Sequence, residues 1–331
     1  MKETDPFYSS KQKLLKKLQA SKKQNDRGAW LYKNNLRTEA FMMESLFRLY
    51  EKGLGYSNFK GGLKLVKKLE DALGQVDFYD VFYQEFRKNK KINKEVESYI
   101  LRKKEKAFTK LEKIINKREG LEKRITQHYS LVSAQKIKFN ASEIKKIEAA
   151  IQNEIKDIEV FVKTSKCDFK YIEEEVHELR RKLRWVSMYG QALCGIIKLK
   201  DPGKKGNWEK KYLTKNITEL AFNKLPNNTF PAYITFDKNK FYALSWLINE
   251  LGSLKDKGLR LEFLSKVIAK TEGIDHKEAV KKAQLALNSK ISEADVLKQA
   301  SGICDAFFNK DKILDDFIIK SLPKRSKKAK A

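Results

Sequence analysis

The sequence is poor in residues that break helices and in long apolar runs. It contains 5 prolines, none of them between Phe7 and Asp201, and only 15 glycines. Because proline interrupts a helix, this span is predicted to be nearly all helical. The uncharged stretch from Trp185 to Ile197 is 13 residues long, whereas a membrane-spanning helix needs roughly 20. We therefore expect no membrane span.

Cysteine and histidine are equally scarce. The 3 cysteines and 3 histidines lie far apart in the chain, with no CxxC or HExxH pattern. This spacing argues against a disulfide framework and against a metal site. We expect a protein of a reducing, cytoplasmic compartment that holds no metal and no cofactor.

Acidic residues are few compared with basic ones. The chain has 71 Lys and Arg against 43 Asp and Glu, a formal net charge of +28. A charge of this size indicates polyanionic partners: phosphate polymers first, an anionic membrane surface next. The hydrophobic fraction of 41%, with 19 Phe and 13 Tyr, predicts a folded chain in spite of the charge.

One stretch, residues 172–193, carries the most information. Its apolar or small residues alternate at steps of four and three, which is typical of a helix packed lengthwise in a bundle. These seam residues are Ile172, Val176, Leu179, Leu183, Val186, Gly190 and Leu193.

Four basic or potentially basic side chains recur along one flank of this helix, namely His177, Arg180, Arg181 and Arg184. They form either a solvated flank, balanced by nearby glutamates such as Glu174 and Glu178, or a surface for a polyanion. Guanidinium groups make forked, charge-assisted bonds to phosphate oxygens. The excess of basic residues elsewhere in the chain favours the second interpretation.

The remaining pattern predicts an all-α protein in two halves, residues 30–165 and 166–320. A basic N-terminal segment, 1–29, forms a short helix at most. Residues 196–240, with three prolines, are predicted to be an irregular insertion in the second half. Residues 321–331 are predicted to be a mobile basic tail.

Within the first half, helical periodicity covers residues 30–50, 63–86, 95–131 and 141–163, and Asn140 is a candidate N-cap of the last of these helices. Gly74 lies inside the second. Since glycine costs about 1 kcal/mol relative to alanine in a helix, we expect another backbone or a ligand to approach it closely. Further helical patterns occupy 244–261, 275–288 and 292–320, and the insertion contains one short candidate strand at 232–236.

The two halves share an internal repeat. The pair Leu73-Gly74 recurs as Leu251-Gly252, 178 residues later, and neighbouring apolar positions coincide. Upstream of these pairs, Arg37 and Arg180 each follow a leucine. The pattern predicts a duplicated helical unit with an insertion in its second copy.

These elements resemble the CHAD family, the conserved histidine alpha-helical domain. The family's opening helix, with a His, an Arg three residues on and further basic residues, is similar to VHELRRKLRWV at 176–186. Its second element, an LG followed by paired acids, is similar to LKLVKKLEDALGQVDFYDV at 63–81 and LINELGSLKD at 247–256. The resemblance implies two helical bundles related by a pseudo-twofold axis. It also implies a basic cavity between them that binds inorganic polyphosphate without catalysis.

Departures from the family pattern lie in the first half. The family's His falls on Asn34, and the basic positions after Arg37 fall on Phe41, Met42 and Glu44. We therefore expect an asymmetric binding surface. The candidate polyphosphate ligands are Arg37, Lys64, Lys67, Lys68, His177, Arg180, Arg181 and Arg184.

Three functions follow as hypotheses. The first is non-enzymatic polyphosphate binding, compatible with a role in storage, signalling or granule association; protonation of His177 would then strengthen binding as pH falls toward about 6. The second is non-specific binding of RNA or DNA backbones, although the sequence contains no recognisable nucleic-acid motif. The third is a phosphohydrolase. The resemblance suggests it, because proteins of this family often carry a companion domain with alternating glutamates on a strand; the nearest candidate here, Glu95-Val96-Glu97, lies in a helical pattern.

Overall fold

The protein is an all-α structure, as predicted, and the computed structural model describes residues 5–117, 119–203 and 206–319. The helices, in chain order, are α1 (Pro6–Ser21), α2 (Arg27–Lys33), α3 (Leu36–Arg48), α4 (Lys60–Phe86), α5 (Lys94–Asn116), α6 (Leu121–Ala134), α7 (Ala141–Ser165), α8 (Glu178–Ala192), α9 (Glu209–Tyr212), α10 (Lys215–Thr218), α11 (Lys238–Glu272), α12 (His276–Leu287) and α13 (Glu293–Asp305).

Short polar side chains cap the first turn of several long helices. Asn140 Oδ1 accepts a hydrogen bond from the Glu143 N–H at 3.0 Å and begins α7, which confirms this predicted cap. Asn93, Asp237 and Asp275 begin α5, α11 and α12 in the same way. Each cap satisfies an N–H group that has no partner inside its helix.

Two long helical hairpins extend from the main body of the protein. In the first, α4 packs against α5, and in the second, α11 packs against α12; α11 also contacts α5. Their far ends share a separate hydrophobic core that includes Phe82, Phe86, Ile100, Leu264 and Val267. The hairpins therefore join the two predicted halves at a second place, away from the main core.

The main core buries the seam of the central helix. Residues Ile172–His177 form a π-helical turn that continues into α8, and all seven predicted seam residues are buried. α8 contacts α3, α7 and α11, so it lies at the centre of the bundle. This position brings its basic flank next to α3 and α4.

The N-terminal segment forms a full helix that packs into the main core, rather than the short helix that the sequence predicted. α1 has 16 residues and packs on α3 and α6, with Phe7, Leu14 and Leu18 buried. The Phe7 ring lies 5.1 Å from the Tyr50 ring, measured between centroids. The sequence-based boundary at residue 29 therefore separates segments that share one core.

Two of the predicted continuous helices are interrupted. Residues 30–50 divide at Asn35, which adopts a left-handed backbone conformation (φ 56°) between α2 and α3. Residues 95–131 divide between α5 and α6, where Gly120 has a φ of 85°. Left-handed conformations are accessible mainly to Gly, Asn and Asp, so both breaks occur at residues that allow them.

The insertion contains one more strand than the sequence predicts. β1 (Ile197–Lys200) and β2 (Ile234–Asp237) pair in parallel, with Ile197 opposite Ile234. The single strand predicted at 232–236 overlaps β2, whereas β1 was not predicted. The predicted helix at 292–320 is α13 and a π-helical turn that ends at Lys310.

Among the described residues, no helix is both long enough and apolar enough to cross a bilayer. The predicted basic tail, 321–331, and the first four residues of the N-terminal segment lie outside the described residues.

The burial of α1 gives a testable prediction. We expect Leu18→Ala to lower the free energy of unfolding by about 2 to 5 kcal/mol, because it opens a cavity in the main core. Lys16→Ala, on the exposed face of the same helix, is the control and should change it by less than about 0.5 kcal/mol. Urea unfolding followed by circular dichroism measures both. Equal, small effects would mean that α1 is not part of the cooperative core.

Candidate anion-binding site

A cavity of about 500 Å³ lies where α3, α4 and α8 meet, and α5 contributes to its rim. We call it the arginine cavity. Its lining residues are Arg37, Phe41, Glu44, Lys67, Glu70, Asp71, Gly74, Gln75, Phe78, Tyr79, Lys110, His177, Arg180, Arg181, Arg184 and Trp185.

The structure brings six of the eight predicted ligand residues to this cavity. The four from α8 and its preceding turn are joined by Arg37 and Lys67. Lys64 and Lys68 are exposed on α4 and do not line it. Lys68 follows Lys67 by one residue, a rotation of about 100° around the helix, which directs it away from the face that Lys67 shares with Gly74.

The basic flank of α8 is only partly balanced by its own glutamates. Arg181 forms an ion pair with Glu178, in line with the solvated-flank interpretation. Arg180 instead donates from Nε to the Ile248 carbonyl at 3.0 Å. Arg184 has no hydrogen bond or ion pair with any described residue, and its guanidinium lies 3.9 Å from the centre of the Phe41 ring. Two cations are thus free of a carboxylate partner.

Burial makes these cations costly to the free protein. Burial, followed by repulsion from Arg180, lowers the pKa of Arg184 to about 10, and the attraction of Glu70 offsets this only partly. Burial also lowers the pKa of Arg180, with the nearby Arg37 adding to the effect. Both groups remain charged at neutral pH. An incoming anion would therefore be favoured by their incomplete solvation.

Arg37 has a different environment from the arginines of α8. Its Nε donates to Glu70 and its Nη1 to Asp77, each at 2.8 Å. Arg37 is therefore already neutralised by carboxylates of α4. It is therefore a weaker candidate ligand than the sequence pattern suggests.

A glycine underlies each of the two arginines that the repeat aligns. A Cβ at Gly74 would lie 2.8 Å from Arg37 Nη2, and a Cβ at Gly252 would lie 2.9 Å from Arg180 Nε. Both distances are too short for a side chain. The close approach predicted at Gly74 is made by a guanidinium group rather than by a backbone or a ligand.

His177 is neutral in the free protein. Burial, then the neighbouring Lys255 and the three arginines of α8, lower its pKa to about 4. Its side chain is 29% exposed, and Nδ1 has no hydrogen-bond partner among the described residues. Binding would strengthen toward pH 6 through this imidazole only if a bound anion raised its pKa again.

The corresponding position of the first half is unlike His177. Asn34 is exposed, ends α2 and donates from Nδ2 to the Trp30 carbonyl at 2.8 Å. The cavity therefore has a cationic wall from α8 and a mixed wall from α3 and α4, as the departures in the first half predict.

Four charged lining residues were not predicted from the sequence. Lys110 comes from α5 and donates to Gln75 Oε1 at 3.0 Å. Glu70 and Asp71 belong to α4, and Glu44 to α3. The helical spacing of Lys67, Glu70, Asp71 and Gly74, at steps of three and four, was the available signal for the two α4 carboxylates.

Two further concave surfaces lie elsewhere. A crevice of about 170 Å³ between α11, α12 and α13 is lined by a mixture of apolar side chains, such as Leu261 and Val280, and charged ones, such as Lys257 and Glu293. A shallow groove of about 610 Å³ between α5 and α11 includes Lys94, Tyr99, Arg102 and Lys270. Within the described ranges, no group of three or more His, Cys, Asp or Glu side chains is placed to hold a metal ion.

No protein family model, no curated protein and no solved structure matches the chain. The resemblance to the CHAD family therefore stays a prediction from short motifs.

The glycine contact gives a second prediction. Gly302 is an exposed helical glycine where an added Cβ would meet no atom within 4 Å, whereas the Gly252 position is occupied by Arg180. We expect the free energy of unfolding of Gly252→Ala to fall about 1 to 3 kcal/mol below that of Gly302→Ala. Chemical denaturation of the two variants measures this difference. Equal stabilisation by both alanines would show that the arginine moves aside freely.

A third prediction concerns His177. Its pKa rises on unfolding from about 4 to about 6.5, so between these pH values the unfolded chain holds a proton that the folded protein lacks. The histidine therefore lowers the free energy of unfolding as pH falls from about 6.5 to about 4. When the pH is lowered from 7.5 to 4.5, the free energy of unfolding of His177→Gln should rise by about 1 to 3 kcal/mol relative to that of wild type.

Urea unfolding at both pH values provides the measurement, with His276→Gln, on the exposed first turn of α12, as the control. The comparison with wild type at each pH removes the contributions of other titrating groups. Parallel pH profiles for wild type and His177→Gln would contradict the cationic surroundings assigned to this imidazole.

Proposed function

We propose that the protein binds inorganic polyphosphate in the arginine cavity, without catalysing a reaction on it. The observation that carries this proposal is the unpaired guanidinium of Arg184, beside the incompletely paired Arg180, in a cavity of about 500 Å³. A buried cation without a partner destabilises a fold unless something compensates for it. An oxyanion chain supplies that compensation.

A phosphate chain fits these groups better than a single carboxylate does, because its successive units supply acceptor oxygens to more than one guanidinium. Each guanidinium offers several N–H donors in one plane, and a phosphate unit offers more than one acceptor oxygen. Arg180 retains both Nη groups for a ligand, because only its Nε is used by Ile248. Lys67, Lys110 and Arg181 at the rim add positive charge that would steer a flexible polyanion toward the cavity.

We also propose that the two halves are copies of one helical unit, joined by a pseudo-twofold axis between α3 and α8. Matched contacts of Arg37 with Gly74 and of Arg180 with Gly252 support this proposal. In the same alignment Phe41 corresponds to Arg184, and these two side chains lie against each other. Equivalent positions touch in this way near a twofold axis.

The groove between α5 and α11 favours a second candidate function, binding of nucleic-acid backbones. The Tyr99 ring there lies 5.4 Å from both the Lys103 and the Lys270 ammonium groups. Aromatic rings between cations are typical of surfaces that stack bases and contact phosphates. Glu95 and Glu97 lie in the first turn of α5, not on a strand, and Glu95 lines this groove.

One set of variants distinguishes the two sites. We expect Arg180→Ala with Arg184→Ala to weaken polyphosphate binding by about two to four orders of magnitude, because each hydrogen bond between charged partners contributes about 1.5 to 3 kcal/mol. Arg102→Ala with Lys270→Ala, in the open groove, and deletion of residues 321–331 are the controls. Each should change binding by less than about threefold, because exposed charges are screened at about 0.15 M salt.

Labelled polyphosphate and duplex DNA of equal total charge are titrated in parallel, with thermal melting of each variant. Loss of Arg184 should change the melting temperature little, because removing a partly buried charge without an ion pair offsets the lost contact with Phe41. If the DNA displaced polyphosphate, and only the Arg102→Ala, Lys270→Ala protein lost binding, the arginine cavity would not be the binding site. The groove between α5 and α11 would then be the site, and nucleic-acid binding the favoured function.

A further inference from the structure

A second cavity, of about 240 Å³, adjoins the arginine cavity. Phe41 of α3 and Arg184 of α8 line both cavities, so the two meet at the guanidinium that rests on the Phe41 ring. Side chains of α11 complete the second cavity, together with Leu220 and Phe222 of the insertion. A ligand that binds Arg184 from the arginine cavity therefore has a further space directly beside it.

The second cavity is the counterpart, in the second half, of the arginine cavity. In the alignment given by the internal repeat, four charged residues of the arginine cavity correspond to four residues that line the second cavity. The charged residues are Glu44, Lys67, Glu70 and Asp71, and their counterparts, in the same order, are Ser187, Ser245, Ile248 and Asn249. Among the described residues, Arg184 is the one charged group that lines the second cavity. One copy of the cavity therefore suits an anion, and the other an uncharged group.

The wall of the second cavity is mainly apolar but has a few polar groups. Its apolar side chains are Phe41, Met188, Leu220, Phe222 and Ile248. Hydroxyl and amide groups complete the wall, and of these Thr38 and Asn249 lie at the exposed rim. Ser245 Oγ donates to Asn223 Oδ1 at 2.6 Å, which leaves the hydroxyl oxygen able to accept a further bond.

This wall favours a nucleobase over the other groups that accompany phosphates. A further phosphate unit would lose its hydration against a mainly apolar wall, and an alkyl chain would leave the hydroxyl and amide groups without partners. A nucleobase has two apolar faces for packing and polar edges for hydrogen bonds. Pockets for such ligands typically combine an apolar and aromatic lining with a small number of polar groups.

We propose that the two cavities form one site for a nucleoside polyphosphate, with the phosphates at Arg180 and Arg184 in the arginine cavity and the base in the second cavity. This inference rests on the proposed function, namely that phosphate anions bind in the arginine cavity, and it adds an organic group to the ligand. Binding changes no covalent bond. The insertion then has a role in the site, because Leu220 and Phe222 close the base cavity.

Comparison of ligands with and without a base tests the inference. The four ribonucleoside triphosphates are titrated against methyl triphosphate, which carries the same triphosphate ester with a methyl group in place of the nucleoside. Isothermal titration calorimetry is carried out at pH 7.5 and about 0.15 M salt, without divalent cations. At least one nucleoside triphosphate should bind wild type about tenfold or more tightly than methyl triphosphate, the effect of packing one base.

Variants locate the base. Ser187→Met fills the second cavity with a side chain about as long as Glu44 at the aligned position, so the preference for the nucleotide should fall below about threefold, with methyl triphosphate binding nearly unchanged. Leu220→Ala, at an exposed wall residue, should lower the preference by about threefold or more. Arg180→Ala, which lines the arginine cavity alone, should weaken both ligands by the same factor. Ser130→Met, on the exposed face of α6, is the matched control and should change neither ligand.

Thermal melting shows whether each variant is folded, and the wild-type comparison needs no variant. Equal binding of methyl triphosphate and all four nucleotides to wild type would overturn the inference and leave the proposed function standing. A preference that survives both Ser187→Met and Leu220→Ala would place the base elsewhere and would overturn it as well. If wild type bound neither the triphosphates nor long-chain polyphosphate, the proposed function would fail together with the inference.

Discussion

The contact on which the site depends is an arginine that lies across a helix at a glycine, and it occurs twice. Arg37 lies over Gly74 of α4, and Arg180 lies over Gly252 of α11. Any other L residue at these positions would place a Cβ within 3 Å of the guanidinium, so the arginine would have to shift from its present position. The helix propensity lost at each glycine, about 1 kcal/mol, is offset by this packing. The arginine cavity is the space that the arrangement leaves between α3, α4 and α8.

The two arginines have the same backbone setting but different electrostatic partners. Glu70 and Asp77 neutralise Arg37, whereas Arg180 uses only a backbone carbonyl, which carries no full charge. At the position of the first half that aligns with Arg184, the chain has Phe41, and the guanidinium of Arg184 rests on that ring. A second arginine there would add like-charge repulsion, whereas the aromatic face is attractive to a cation. The first half therefore supports the cations of the second half rather than adding to them.

Sequence periodicity was sufficient to predict the helices that bury one continuous stripe of apolar residues. The seam from Ile172 to Leu193 and the uninterrupted helix across Gly74 were both predicted, because each depends on spacing within one segment. The break at Asn35 was not predicted, since its left-handed conformation is one of several that asparagine tolerates. The role of α1 was also missed. Three buried apolar residues in a basic segment are a weak local signal, and they are buried because α3 and α6 cover them. β1 depends on its pairing with β2, a contact between segments some 37 residues apart.

The site shows a different limit of sequence reasoning. The spacing of His177, Arg180 and Arg184 places them on one flank, and the structure does bring them to one cavity. Their usefulness to a ligand, however, depends on which cations lack a carboxylate partner, and partners come from other helices. A net charge of +28 does not distinguish Arg37, which is neutralised, from Arg184, which is not. The same applies to Glu44: in the sequence it is one acid among many, and only its burial next to Glu70 and opposite Arg184 gives it a pKa near neutrality. An acid that titrates beside an unpaired arginine makes the charge of the cavity depend on pH.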